Sequence, residues 1–225
     1  MGIAALLRAA GVRAGDEVVV PAFGNVEVAR AVTLAGALPV FADIDPATYC
    51  LEPAAVDAAL TSRTAAVVVV HRFGHPADLE QLRTLGQRRG LLVLEHAELE
   101  ASRDETARRR ERAAYLDARL RGVRTPEGSA GHRYQQYVVR VPGNGRPDRD
   151  AFARAVRAKG VVCRIPVPTP VHRLPEFRRD VSLPETERAA DETLALPVDG
   201  SLTKRDIQRT ASVCNALGGL LAPAL

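Results

Sequence analysis

Lysine is nearly missing from this chain of 225 residues: it stands only at Lys159 and Lys204, so arginine carries almost all of the basic charge behind a net +4 and a pI near 9.3. Aromatic side chains are scarce as well, with no Trp, 4 Tyr and 5 Phe. Few base-stacking rings, and arginines scattered through helical stretches beside Asp and Glu, argue against nucleic acid as a partner. Cys50, Cys163 and Cys214 lie far apart, form no CxxC and have no histidine at ligand spacing. That pattern excludes a disulfide framework and gives no metal site, and it reads as reduced, buried thiols. No apolar run is long enough to cross a membrane, and the apolar start is too short for a secretion signal. Gly2 lacks the Ser or Thr of a myristoylation site. A cytoplasmic protein without membrane contact is the expectation, long enough for one ample domain or for a large and a small one.

What is present is organised around LLVLEHAEL, residues 91 to 99, an apolar run that breaks into charge at Glu95, His96 and Glu98. Such a run after Gly90 reads as a buried parallel strand whose carboxyl end faces a crevice, the place where open α/β sheets bind ligands. Upstream, the pattern predicts helices over residues 3–10, 26–35, 53–60 and 77–89 and strands over 18–20, 38–42 and 65–70. Strand and helix alternate at short spacing, which calls for a parallel sheet with right-handed crossovers and helices on both faces.

SRDE at residues 102 to 105 is a capping box opening a helix that runs to Arg121, charged enough on one side to be a solvated connector. After GVRTPEGSAGH the pattern changes: strands over 134–141 and 161–165, and helices over 149–159, 184–194 and 203–217, predict a small α+β domain. The expected division is 1–101 for the large domain, 102–122 for the connecting helix and 123–225 for the small domain.

Read together, GVRAGDEVVVPAF, AVTLAGALPVFADIDPATYCLEPAAV, VVVVHRFGHPADLEQL and GLLVLEHAEL resemble, in one colinear order, the DegT/DnrJ/EryC1/StrS family of sugar aminotransferases, including its aminohydroxybenzoate synthase branch. RRRERAAYLDARL, YQQYVVRV, AVRAKGVVCRIPVP and VHRLPEF resemble its carboxy-terminal domain. The resemblance implies a shortened fold-type-I aminotransferase sheet with strand order 2-1-3-4. It also implies pyridoxal phosphate chemistry, which needs a lysine for the Schiff base, a carboxylate facing the pyridinium nitrogen, backbone amides around the phosphate and an aromatic ring over the cofactor. Against that pattern the phosphate-binding Ser-Gly-Thr stretch is not found before Ala4, and Gly24 and Asn25 replace a Thr-aromatic pair. The strand-end Glu-Asp-Ala-Ala is here Glu95, His96, Ala97, Glu98, so His96 takes the aspartate position. Between Glu98 and Arg108 the family's middle segment, with two strands and the Schiff-base lysine, is absent, and Lys159 and Lys204 align to the small domain.

These departures lead to the expectation of no bound cofactor and of a pseudo-enzyme or accessory subunit, either a homodimer or a heterodimer with a full-length aminotransferase. One alternative is an enzyme of another class acting on a small-molecule ligand at the strand-end crevice, with His96 as general base and Glu95 as its orienter. Another is an aminotransferase holding pyridoxal phosphate non-covalently. His71, Asp43 and His172 are the candidate substrate-binding residues. The structural alternatives are loop and helix capping for His71 and His75 beside Pro76, and turn formation for Asp43 and Asp45 before Pro46.

Overall fold

The computed structural model describes residues 2–96 and 102–218. In chain order the elements are α1 (Ile3–Ala9), β1 (Glu17–Pro21), α2 (Val26–Ala35), β2 (Leu38–Ala42), α3 (Pro53–Ala59), β3 (Thr64–Val70), α4 (Leu79–Arg89), β4 (Leu92–His96), α5 (Arg103–Asp117), β5 (Tyr137–Arg140), α6 (Arg146–Ala158), α7 (Pro184–Glu192), β6 (Thr193–Leu196) and α8 (Lys204–Gly218). Local chemistry sets the ends. Asp78 caps α4 by accepting from the Gln81 N–H at 2.9 Å, and α2 stops at Gly36, whose φ of 93° few other residues adopt. Ser102 caps α5 by accepting from the Glu105 N–H at 3.2 Å, while the Glu105 carboxylate pairs forward with Arg109 instead of closing the capping box. Among the described residues no helix is long and apolar enough to cross a membrane.

The chain forms two compact units. Unit 1 comprises Met1–Arg72, Pro76–Glu98 and Thr169–Glu187. Its sheet is parallel throughout in the order β2-β1-β3-β4, as the resemblance implied. Alternation along the strands sends successive side chains to opposite faces. Val18, Val20, Val68 and Val70 meet α1 and α2 on one face, while Val19, Val67 and Val69 meet α3 and α4 on the other. This is a doubly wound sheet whose central strands are apolar on both sides.

The segment Thr169–Glu187 corrects the linear division of the sequence, which gave all of 123–225 to the small domain. The Val171 N–H donates to the Ala22 carbonyl at 2.8 Å, and Val171, Phe177 and Leu183 are buried against the α1–α2 face of the sheet. Phe177 meets Phe41 edge-on at 6.3 Å. The apolar residues of this segment thus complete a core whose other members, from Leu7, Val18 and Val20 onward, lie far upstream in the chain. The boundary of the unit falls within α7, between Glu187 and Arg188.

Unit 2 comprises Phe73–His75, Leu99–Pro168 and Arg188–Leu225. The antiparallel pair β5–β6 packs with α5, α6 and α8 around Leu116, Tyr137, Phe152, Val156, Leu194 and Cys214. α5 is not a solvated connector, since Ala113 and Leu116 are fully buried in this core. Two further expectations change. The helix predicted to Leu194 ends at Glu192, because Thr193–Leu196, buried at every position, pairs with Tyr137–Arg140 as β6. Residues 161–165 form no strand. Arg164 makes one bridge to Ala195, and Pro166, Pro168 and Pro170 cannot donate the N–H groups that would extend it.

Candidate functional site

The carboxyl ends of β3 and β4 bring together His71, Glu95 and Arg83. In the β3–β4 register Val69 lies beside Glu95 and Val70 beside His96. Glu95 therefore follows Val93 onto the α3–α4 face, as His71 follows Val69, and His96 follows Leu94 onto the opposite face. His71 Nε2 lies 2.9 Å from Glu95 Oε1, and His71 Nδ1 accepts from the Ala77 N–H at 3.0 Å. An acceptor at Nδ1 leaves the proton on Nε2, so the neutral ring donates to the carboxylate. The other Glu95 oxygen accepts from Arg83 Nη2 at 3.2 Å. The arrangement fixes the loop after β3 to the tip of β4. Both ring nitrogens of His71 are engaged, and the carboxylate that the sequence paired with His96 is held by His71 and Arg83. His96 is half-buried and its side chain makes no hydrogen bond among the described residues. Glu98, the third polar residue of that strand tip, lies outside the described residues.

Asp43 follows β2 and points to the start of α7. Oδ2 accepts from the Glu185 N–H at 2.9 Å, and Oδ1 accepts from the Thr186 N–H at 2.8 Å and from the Ile44 N–H at 3.0 Å. Leu183, which precedes α7, has no side-chain acceptor to offer its first turn; a carboxylate from far upstream takes that part of the N-cap's role. Asp45 forms the turn around Pro46 by accepting from the N–H groups of Ala47 and Thr48 at 3.1 and 2.7 Å.

His172 belongs to unit 1 and is 1% exposed. Nε2 lies 3.3 Å from Glu187 Oε1, and Nδ1 has no hydrogen-bond partner among the described residues. Burial lowers its pKa, against the opposing pull of Glu187. Glu187, itself lowered chiefly by its hydrogen bond from Arg173, spans His172 and Arg173. This histidine stands inside the packing of residues 169–187, away from the His71–Glu95 pair along the sheet. His75 is buried in unit 2, edge-on to the His132 ring at 4.9 Å.

Two features carried no sequence signal: the place of Arg72 beside Gly24 and Asn25, and a ring stack in unit 2. Gly24 has a φ of 80° and Asn25 a φ of 56°, and a Cβ at Gly24 would lie 2.3 Å from Arg72 Nη2. The guanidinium of Arg72 fills that space, donates to Asn25 Oδ1 at 2.9 Å and lies 5.8 Å from the centre of the Phe23 ring. The second group is a stack in unit 2: His132 on Tyr134 at 3.9 Å, and Tyr134 near Tyr137 at 6.2 Å. Tyr137 donates to Asp117 at 2.6 Å; burial raises the Asp117 pKa and lowers that of His132 to about 3.

The parallel sheet ordered 2-1-3-4 and covered on both faces is shared with solved aminotransferases. The crystal structure of the aminotransferase TlmJ from Streptoalloteichus hindustanus superposes with a TM-score of 0.86 at 26% identity, covering 97% of this chain and 84% of that one. The chain belongs to the DegT/DnrJ/EryC1/StrS aminotransferase family, whose family model matches residues 1–98 and 95–217. L-glutamine:scyllo-inosose aminotransferase of Streptomyces griseus is 50% identical over 93 residues, which is 41% of this chain and 22% of that protein. L-glutamine:2-deoxy-scyllo-inosose aminotransferase of Streptomyces lividus is 38% identical over 160 residues, which is 69% of this chain and 35% of that protein. The matches thus span 22% and 35% of these curated relatives' lengths.

Proposed function

We propose that this chain does not transaminate by itself and acts as a pseudo-enzyme or accessory subunit in sugar or natural-product biosynthesis. It pairs with itself or with a full-length aminotransferase of the kind its relatives' names describe. One observation carries the reading. The family match passes from its first stretch to its second at residues 95–98, and no lysine stands in residues 1–98 or anywhere in unit 1. An imine to an aldehyde cofactor needs a primary amine, and Lys159 and Lys204 are exposed residues of unit 2, beside the end of α6 and at the start of α8.

Two further features support it. His96 occupies the position of the family's pyridinium aspartate, and an imidazole supplies no fixed negative charge there. Next to it in the family pattern, Gly24 and Asn25 offer no ring to cover a cofactor, and the Arg72 guanidinium fills the space beside Gly24. These residues do not fit a covalently held pyridoxal phosphate. The reading with His96 and Glu95 as an acid–base pair has less support, since Glu95 is engaged by His71 and Arg83. On the proposed reading, β4 offers its open edge to a second chain: among the described residues it pairs with β3 alone, and open edges of apolar strands favour being covered.

The test is purification of the chain alone and together with a full-length aminotransferase from the same source. Alone, with pyridoxal phosphate, it is expected to show no stable visible band beyond that of surface imines. Borohydride is expected to leave Lys159 and Lys204 without stoichiometric label by peptide mass spectrometry. Together, the two chains are expected to co-elute. A stoichiometric reducible adduct on either lysine, or turnover of a keto-inositol with glutamine by this chain alone, would overturn the proposal.

A further inference from the structure

Unit 2 contains a cleft of about 550 Å³ between α5 and α8, distinct from the strand ends of unit 1. That size lies within the range of about 300–1,000 Å³ usual for small-molecule sites. Its apolar surface comes from Tyr115, Ile207, Leu202 and Ala114, and its charged groups are Arg108, Arg112, Lys204 and the single carboxylate Glu111. The balance is cationic.

The three cations do different work. Arg112 donates to the carbonyls of Asp199, Gly200 and Leu202 at 2.7, 3.1 and 2.6 Å, so it fixes the loop that forms one wall before anything binds. A preformed wall reduces the ordering cost of binding. The side chains of Arg108 and Lys204 form no hydrogen bond or ion pair among the described residues, so their charges are available to a ligand. The Tyr115 ring is held from one side by the Arg119 guanidinium, 3.8 Å from its centre. Apolar surface provides area without selectivity; two unengaged cations at its rim select for negative charge.

We propose that this cleft binds a small amphipathic anion, an aromatic or alicyclic carboxylate or phosphate ester, with its body on Tyr115 and Ile207 and its charge met by Arg108 and Lys204. The site is independent of whether the chain transaminates. Isothermal titration of the full chain with 2-naphthoate and with 2-naphthyl phosphate tests the charge and separates the two anion classes. At least one of them is expected to saturate a single site. 2-Naphthalenemethanol, with the same body and no charge, is expected to bind at least about tenfold more weakly, and inorganic phosphate alone is expected not to displace the bound anion. Arg108→Gln and Lys204→Gln are each expected to weaken binding by about tenfold, about 1.4 kcal/mol. Ala114→Trp, which places a large ring in the cleft from an exposed helix position, is expected to abolish binding with the melting temperature kept near that of the parent. Failure of both naphthyl anions to saturate, equal affinity for the alcohol, or undiminished binding by a folded Ala114→Trp chain would overturn the proposal.

Discussion

Asp43 holds the first turn of α7 with a carboxylate that lies 142 residues earlier than its partner Glu185. A side-chain cap of this kind is worth about 0.5–2 kcal/mol, and the negative charge also favours the helix N-terminus. Asp43→Ala is therefore expected to destabilise the chain by about 1–2 kcal/mol, and Asp43→Asn, which keeps an acceptor, by less. Urea denaturation at neutral pH reads both, and equal losses would mean that the cap is not the source. At His132 burial, then electrostatic interaction with His75 and Arg110, lowers the pKa from 6.5 to about 3. The unfolded chain therefore binds more protons between those values. Stability from this residue is fully present above pH 6.5 and is lost as pH falls toward 3, at up to about 1.4 kcal/mol per pH unit. Protonation would also remove the acceptor that Nδ1 offers the Tyr134 N–H at 2.9 Å. His132→Phe is expected to be less stable at pH 7 but to show a flatter dependence between pH 6.5 and 4.5, measured as the shift of the urea midpoint. An unchanged slope would point to other titrating groups.

Elements meet at places where side chains must be absent. Gly86 lies in α4 against β4, and a Cβ there would fall 2.6 Å from Val93 Cγ2 and 3.1 Å from the Leu91 carbonyl. Gly→Ala inside a helix normally gains up to about 1 kcal/mol from propensity. Here overpacking, which costs about 1–3 kcal/mol, is expected to win, so Gly86→Ala destabilises. Adding Val93→Ala opens the space, and the two changes should be less costly together than their sum. A double-mutant cycle in urea measures that coupling, and strict additivity would contradict the contact. The periodic elements were legible from sequence: α2 and β2 fall at the predicted residues 26–35 and 38–42, since each is bounded by a turn residue or a change of pattern. The segment 161–165 was misread because Val161, Cys163 and Ile165 alternate like a strand, yet Val162 is 66% exposed and the prolines that follow prevent pairing. β6 was missed because Thr193–Leu196 continues an apolar helical pattern, and only the presence of β5 beside it favours the extended form.

For the molecule as a whole, restoring one group of a site is expected to restore nothing if the groups act as a unit. His96→Asp returns the family's carboxylate but adds no amine to unit 1 and leaves Arg72 beside Gly24. No transamination by the variant is the expected result of an assay with a keto-inositol and glutamine, whereas measurable turnover would contradict the reading of an accessory chain. Under that reading His96→Asp and His96→Ala also leave association with a full-length partner unchanged, which size-exclusion chromatography checks.

Sequence by itself determined the alternating α/β order, because periodicity and turn residues are local properties of the chain, and its colinear motifs pointed to the family, whose resemblance implied the sheet order 2-1-3-4. It also determined that lysine is confined to positions 159 and 204. Only the tertiary structure decided that Thr169–Glu187 belongs with the parallel sheet, that Asp43 caps α7, that Glu95 answers to His71 and Arg83, and that Arg72 stands beside Gly24. Each of those depends on groups far apart in sequence, whose pairing is chosen by burial and by the need of every buried donor for an acceptor, and neither condition exists until the chain has folded.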